Sequence, residues 1–158
     1  MVETNGRNFD LLTLGQVLLR LSPPDNERLS RGDTFVKQVG GAELNVAVGA
    51  ALLGLHTGVI SKLPAHDIGS FMKGKIRSFG VSDDFFMYDQ SPAARVGIYY
   101  YENGAYPRKP KVIYDRNHSS FFSLDIDEIP EEVYTASKCF HTTGITLALN
   151  EDIRETTI

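Results

Sequence analysis

Two adjacent glycines, Gly40 and Gly41, stand directly before a nearly unbroken run of small and apolar residues from Ala42 to Leu53. Because glycine lacks a Cβ, the chain can turn sharply there and a ligand can approach the backbone. The run predicts a helix that is apolar almost all round, so we expect it to be sandwiched between other elements. Its first turn suits a small hydroxylated or anionic ligand, although the motif alone favours a simpler interpretation, a turn that begins a buried helix.

Composition narrows the possible functions. The chain has 158 residues, enough for one domain with a core, and its formal net charge of −4 argues against a nucleic-acid partner. No apolar run approaches the roughly 20 residues of a membrane span, and the polar segment Met1–Asp10 has no apolar signal-peptide core. Cys139 is the only cysteine, so an internal disulfide is impossible, which fits a cytoplasmic setting. A lone thiol in an apolar strand indicates a packing role and not a chemical one. The four histidines lack metal-ligand spacing, so no metal site is expected.

Short apolar runs alternate with helical patterns in the order typical of parallel βαβ units. Leu11–Gly15 and Thr57–Ser61 predict strands buried on both faces, separated by the first helix. Asp67 is placed to cap a second helix, and Lys138–Gly144 predicts a later strand. We therefore expect an α/β fold built on a mostly parallel sheet with flanking helices.

A different pattern interrupts this order. The β-branched and aromatic runs Arg95–Tyr101 and Lys111–Arg116 are joined by a Gly/Pro-bearing loop, Glu102–Pro110. They predict a hairpin-type insertion outside the parallel sheet. Two earlier runs, Val17–Leu21 and Thr34–Val39, also predict extended chain.

The hairpin carries candidate binding residues. Side chains alternate between the faces of a strand, so pairing of the two strands makes available a face that presents Tyr99, Tyr114 and Arg116. Two phenols and a guanidinium form a suitable receptor for a small hydroxylated acid. In the alternative interpretation the tyrosines pack across the strands and Arg116 is a solvated edge charge. That alternative remains open for Tyr114 and Arg116, and it is favoured for Tyr100 and Tyr101.

Several motifs together resemble a known family. The segment Gly40–Ala47, followed by the Leu53-Gly54 step, resembles the N-terminal signature of ribokinase-like (PfkB) carbohydrate kinases. Asp67-Ile68-Gly69 resembles the end of the family's next motif. Tyr114-Asp115-Arg116 and His141–Thr146 are similar to the branch that acts on 2-keto-3-deoxygluconate. The similarity spans roughly Phe9 to the end of the chain.

The resemblance implies roles for individual residues in binding a sugar acid. Gly40 and Gly41 would bring backbone N–H groups to sugar hydroxyls, Tyr99 and Tyr114 would hydrogen-bond the substrate, and Arg116 would pair with its carboxylate. Asn45, in the first helical turn beside the glycines, either faces the same ligand or bonds to the backbone.

The resemblance also implies a larger arrangement. Strands near 17–21, 34–39, 95–101 and 111–116 would form a small lid sheet that closes over the sugar. In the family this sheet often makes the dimer contact, so a homo-oligomer is expected. Closure would exclude water from the transferred phosphoryl group.

Two departures from the family's pattern limit what the chain is expected to do. Gln16 replaces the usual acidic residue after the first strand, which puts a substrate role there in doubt. The late Gly-Ala-Gly-Asp-type turn is missing, so no catalytic residue is assigned. The full-length enzyme would use ATP and Mg²⁺, whereas this segment alone would bind neither and transfer no phosphoryl group. A helix that starts at Asn150 is still running when the chain stops at Ile158, so we expect residues 1–158 to be the N-terminal part of one longer domain.

Two alternatives remain. One is a fructokinase-like kinase of the same family that acts on a neutral sugar. The other is a non-catalytic sugar-binding protein that uses this half-fold.

Overall fold

The computed structural model describes residues 8–158, so most of the polar segment Met1–Asp10 lies outside it. Its centre is a parallel sheet in the order β5-β4-β1-β9, in which β6 also pairs with β4. The predicted α/β fold with parallel pairing is confirmed. The strands are β1 (Phe9–Leu14), β4 (Thr57–Pro64), β5 (Val81–Ser82), β6 (Phe86–Asp89) and β9 (Ser137–His141).

The sheet is parallel and central because its first strands are apolar on both faces. Leu12 and Ile60 are fully buried in one hydrophobic cluster, together with Phe121 and Ile153. Val59 belongs to a second cluster that contains apolar residues of the first two helices. The two clusters fix the sheet between two layers.

Helix α1 (Ala42–Leu52) starts where the sequence predicts, but it is not sandwiched. Leu44 and Ala47 are buried, whereas Val46 is 41% exposed and Leu52 78% exposed. The helix contacts β1 and β4 with one face only, and no described element covers the other face. Apolar composition all round the helix therefore does not produce burial all round in this chain.

Helix α2 (Asp67–Ser78) buries Met72 and Ile76 and is capped differently from the prediction. Its N-cap is His66, whose Nδ1 accepts a hydrogen bond from the Ile68 N–H at 3.2 Å. Asp67 is the first helical residue, where its negative charge still suits the helix dipole.

A second sheet of four strands, in the order β3-β2-β7-β8, lies apart from the parallel one. The β2–β3 and β7–β8 pairs are antiparallel, and β2–β7 is parallel, so the predicted hairpin outside the main sheet is confirmed. Every residue of β8 is exposed. The strands are β2 (Leu18–Ser22), β3 (Val36–Gly40), β7 (Gly97–Glu102) and β8 (Lys111–Asp115).

The C-terminal part is a set of short elements: α3 (Val133–Ala136), β9, α4 (Gly144–Leu147) and α5 (Glu151–Thr157), preceded by short 3₁₀ turns at 120–123 and 126–128. Asn150 caps α5 as predicted, since its Oδ1 accepts a hydrogen bond from the Ile153 N–H at 2.8 Å. The predicted strand over 138–144 ends earlier, at His141, because Thr143 caps α4. Cys139 is exposed rather than packed. Among the described helices, none combines the length and hydropathy that crossing a membrane requires.

Candidate active site

A cavity of about 350 Å³ lies between the second sheet and the carboxyl ends of β1 and β9. In open α/β sheets this end of the strands is the usual place for a ligand. The second sheet contributes Arg20, Tyr99, Tyr101, Tyr114 and Arg116 to the lining. The opposite wall contributes Gln16, Gly41, Glu43, Asn45 and Ile145.

Strand register aligns the tyrosines on the cavity side of the second sheet. Tyr99 stands directly opposite Tyr114, and their ring centroids are 5.9 Å apart. Burial raises the pKa of the Tyr99 phenol, against the opposing influence of Arg20, so the hydroxyl stays protonated and can donate a hydrogen bond. Tyr101 also lines the cavity, although sequence reasoning favoured a packing role for it. Tyr100 lies on the other face and packs against Phe35, with 5.9 Å between the ring centroids.

The paired glycines have different functions in the fold. Gly41 lines the cavity with φ of 151°, and a Cβ there would lie 2.7 Å from the Gln16 carbonyl oxygen. Gly40 is buried at the end of β3, and a Cβ there would lie 2.5 Å from the Tyr99 hydroxyl. Gly41 thus exposes backbone to the cavity, whereas Gly40 makes room for Tyr99 and is not itself among the lining residues.

Arg116 follows β8 and is held by its Nε, which donates a hydrogen bond to the Gln16 Oε1 at 2.8 Å. Its guanidinium lies 5.9 Å from the centroid of the Tyr114 ring. Burial lowers the pKa of Arg116, while Tyr114 and Glu43 act in the opposite direction. Within residues 8–158, no carboxylate lies within ion-pair distance of Arg116, and its terminal amino groups have no hydrogen-bond partner.

Gln16 is the residue that connects the two walls. It is 3% exposed, and its Nε2 donates to the Ser119 Oγ at 2.6 Å and to the Arg116 carbonyl oxygen at 3.3 Å. Sequence reasoning put a role at this position in doubt because the amide carries no charge. The place of Gln16 directly after the carboxyl end of a parallel strand was the signal that favoured a site role.

Glu43 joins the start of α1 to the turn after β9. Its Oε1 accepts hydrogen bonds from the Thr143 N–H at 3.1 Å, the Thr143 hydroxyl at 2.5 Å and the Thr146 hydroxyl at 2.7 Å. The carboxylate is almost fully buried, which requires such compensation. Sequence reasoning missed this role, although a charged residue in an apolar helix is a recognisable signal.

Arg20 is a second cation that sequence reasoning missed. Its guanidinium stacks over Tyr101, with the Cζ 4.3 Å from the ring centroid, and its Nε donates to the Ser22 Oγ at 2.9 Å. Two guanidinium groups therefore face the cavity, against the single carboxylate of Glu43 among its lining residues. This balance of charge favours an anionic ligand.

The six site residues predicted from the sequence lie in one region of the structure, five in the cavity lining and one directly behind it. Gly41, Asn45, Tyr99, Tyr114 and Arg116 line one cavity, and Gly40 supports it from behind Tyr99. The Asn45 side chain makes no hydrogen bond to any residue that the structure describes, so its amide is available to a ligand.

The lining is suited to binding rather than to proton transfer. Phenols, an amide and two guanidinium groups can contact hydroxyls and a carboxylate. One oxygen of the Glu43 carboxylate, Oε1, already accepts hydrogen bonds from three donors. Among residues 8–158, no cluster of three or more His, Cys, Asp or Glu side chains has the arrangement of a metal site.

Comparisons with known proteins agree with this architecture. Residues 8–158 match the family described as pfkB family carbohydrate kinase. The chain is 38% identical over 148 residues to a 2-dehydro-3-deoxygalactonokinase of Haloferax volcanii, covering 94% of this chain and 46% of that protein. It is 30% identical over 149 residues to a 5-dehydro-2-deoxygluconokinase of Bacillus cereus, covering 94% of this chain and 44% of that protein.

A solved structure gives the same result. The crystal structure of 2-dehydro-3-deoxygluconokinase from Thermotoga maritima superposes with a TM-score of 0.88 at 36% identity, covering 94% of this chain and 45% of that one. The chain thus spans about half the length of the relatives it matches. Because the family match includes every described residue, the chain belongs to the pfkB family of carbohydrate kinases.

Proposed function

We propose that the chain is the substrate-binding part of a kinase that phosphorylates 2-keto-3-deoxygluconate or a related sugar acid. The observation that carries this proposal is Arg116, a half-buried guanidinium that faces a tyrosine-lined cavity and makes no ion pair with any described carboxylate. A desolvated cation favours an anionic partner, and its terminal amino groups match the two oxygens of a carboxylate. The relatives named above act on sugar acids, which supports the same class here.

In this proposal each wall has its own task. Arg116 binds the carboxylate, while the Tyr99 and Tyr114 hydroxyls bind hydroxyl or keto oxygens of the sugar. The backbone at Gly41 and the Asn45 amide contact the sugar from the opposite wall. Gly40 contributes by letting Tyr99 approach.

The second sheet is the proposed lid. It carries most of the polar lining, and its outer strand β8 is fully exposed. Ile113 is 43% exposed on this strand, on the face opposite to the cavity-lining Tyr114, so the sheet offers an apolar side chain to a second copy of the chain. We propose a homo-oligomer formed through these strands.

Phosphoryl transfer needs groups beyond this lining. Among the described residues no cluster of three or more His, Cys, Asp or Glu side chains could hold a metal ion, which supports our assigning the Mg²⁺-ATP site to groups beyond this lining. We therefore propose that ATP serves as the phosphoryl donor of the full-length enzyme and that the 158-residue chain binds the sugar acid without turnover. A coupled assay with ATP, Mg²⁺ and the purified chain is expected to show no product; turnover would contradict this part of the proposal.

A titration of the chain by calorimetry or NMR tests the substrate class. The ligands are 2-keto-3-deoxygluconate, its methyl ester and fructose. We expect the acid to bind most tightly and Arg116→Ala to weaken its binding by about 10- to 100-fold, because a charge-assisted hydrogen-bond pair is lost. Arg31→Ala, which removes an exposed charge outside the cavity, is the matched control and should leave binding unchanged.

The competing outcomes are distinct. Equal binding of acid and ester, or acid binding that survives Arg116→Ala, would contradict the carboxylate assignment. Tight binding of fructose instead would favour a neutral-sugar kinase.

A further inference from the structure

We propose that Ser119, Gln16 and Arg116 form a relay in which Ser119, which does not line the cavity, sets how strongly the cavity discriminates a carboxylate from a neutral group. The inference rests on the proposed function, because it concerns how Arg116 is presented to a sugar acid. Gln16 and Ser119 act in it as positioning residues.

The hydrogen bonds of Gln16 give the relay its direction. The Ser119 Oγ accepts from the Gln16 Nε2 at 2.6 Å, which places the Gln16 Oε1 to accept from the Arg116 Nε at 2.8 Å. An amide cannot rotate without breaking both bonds, since its donor and acceptor ends are distinct. A guanidinium is planar, so a hydrogen bond at Nε fixes the orientation of its plane and thereby the direction in which the two terminal amino groups can contact a carboxylate.

Close packing holds the Gln16 amide in place. Gln16 and Ser119 are 3% and 4% exposed, so little of either side chain is open to solvent. A Cβ on Gly97 would lie 2.8 Å from the Gln16 Nε2 and 2.6 Å from the Leu18 side chain. The glycine at the start of β7 therefore provides the space that the amide occupies.

The neutrality of Gln16 matters as much as its geometry. Its carbonyl oxygen anchors Arg116 without cancelling the positive charge, so the guanidinium remains available to an anion. An apolar side chain at position 16 would leave Arg116 with its charge but without a fixed orientation.

The test compares the binding of 2-keto-3-deoxygluconate and of its methyl ester to the full 158-residue chain, measured by NMR titration. We expect Gln16→Leu to reduce the acid-to-ester affinity ratio by about tenfold, the cost of one charge-assisted contact losing its geometry. Ser119→Ala should reduce the ratio by about threefold although the residue lies outside the cavity. The double variant should resemble Gln16→Leu alone, because both changes act through one amide.

A spectroscopic signature separates positioning from a general packing defect. In the unliganded chain the Arg116 Nε–H should exchange slowly with solvent, and Gln16→Leu should make this exchange faster by at least about tenfold. Gln16→Glu keeps an acceptor at the same place, so slow exchange should be retained. Ser119→Ala removes a single hydroxyl, and it replaces Gln16→Leu in this exchange measurement if Gln16→Leu does not fold.

The binding and exchange measurements distinguish a failure of the relay from a failure of the proposed substrate class. An unchanged acid-to-ester ratio in Ser119→Ala together with unchanged Arg116 Nε–H exchange in Gln16→Leu or Ser119→Ala overturns the relay. Equal losses for acid and ester overturn it too, since a carboxylate-specific effect is then absent. If the wild-type chain shows no preference for the acid while the Nε–H signature behaves as expected, the relay geometry stands and only the proposed substrate class fails.

Discussion

The two walls of the cavity are built on opposite principles. The wall at the ends of β1 and β9 rests on fully buried residues such as Leu12 and Val59, and it offers backbone, two side-chain amides and the hydrogen-bonded carboxylate of Glu43. The wall on the second sheet includes a fully exposed outer strand, β8, and offers phenols and guanidinium groups. The first wall contains more of the buried core and the second wall all of the proposed charged and phenolic contacts to the ligand, so substitutions in the core and on β8 should affect stability differently.

The largest effect should come from the core of the parallel sheet. Leu12→Ala removes a fully buried side chain and should lower the free energy of unfolding by about 3 kcal/mol through lost burial and a cavity. Val112→Ala on β8, where the side chain is 42% exposed, is the matched control and should cost less than about 1 kcal/mol. Urea unfolding measures the free energy of unfolding of both variants. Equal losses in Leu12→Ala and Val112→Ala would contradict the proposed difference in stability between the core and β8.

The next effect concerns the glycine turn. Gly41→Ala forces a side chain into a conformation with φ of 151° and against the Gln16 carbonyl oxygen, so stability should fall by about 2 kcal/mol and sugar-acid binding should be lost. Gly49→Ala lies in the same helix with nothing within 4 Å of the new Cβ, and it should stabilise by about 0.5–1 kcal/mol. If Gly41→Ala binds the sugar acid as tightly as the wild type, the glycine turn is not part of the binding site.

The Glu43 network should be stability-determining but only indirectly important for binding. Glu43→Gln leaves two hydroxyls and one N–H competing for a neutral oxygen, so we expect a loss of about 1–2 kcal/mol in unfolding free energy. Glu131→Gln, at an exposed position, is the control and should change little. Thermal unfolding of the three proteins makes the measurement.

The smallest effect is a pH dependence at Asp10, near the amino-terminal end of the inner strand β1. Hydrogen bonds from Lys138 and from the His56 N–H hold the pKa of the Asp10 carboxyl below its usual range. A depressed folded-state pKa gives stability that is present above about pH 4 and is lost as pH falls through the folded-state value. The stability difference between wild type and Asp10→Asn should therefore disappear on acidification; a difference independent of pH would contradict this assignment.

Much of the fold could be predicted because its strands and helices follow from local patterns of apolar and polar residues. Apolar runs such as Leu11–Gly15 and Thr57–Ser61 identify parallel strands, and alternation places Tyr99 and Tyr114 on one face of the hairpin. These inferences use neighbours in sequence and, for the hairpin, only the pairing of two adjacent strands.

The rest depends on contacts between distant parts of the chain. The bonds from Gln16 to Ser119 and from Glu43 to Thr143 span 103 and 100 residues, and no periodicity reports them. Helix α1 shows the converse, because composition predicts burial but exposure depends on which elements surround it. Tyr101 shares its face with Tyr99, yet only the assembled cavity shows that it lines the site.

A crystal structure of the chain with 2-keto-3-deoxygluconate tests the central claim most directly. The account predicts the carboxylate within about 3 Å of the terminal amino groups of Arg116, with sugar oxygens at the Tyr99 and Tyr114 hydroxyls. A sugar bound in another cavity, or bound here with its carboxylate turned away from Arg116, would contradict it.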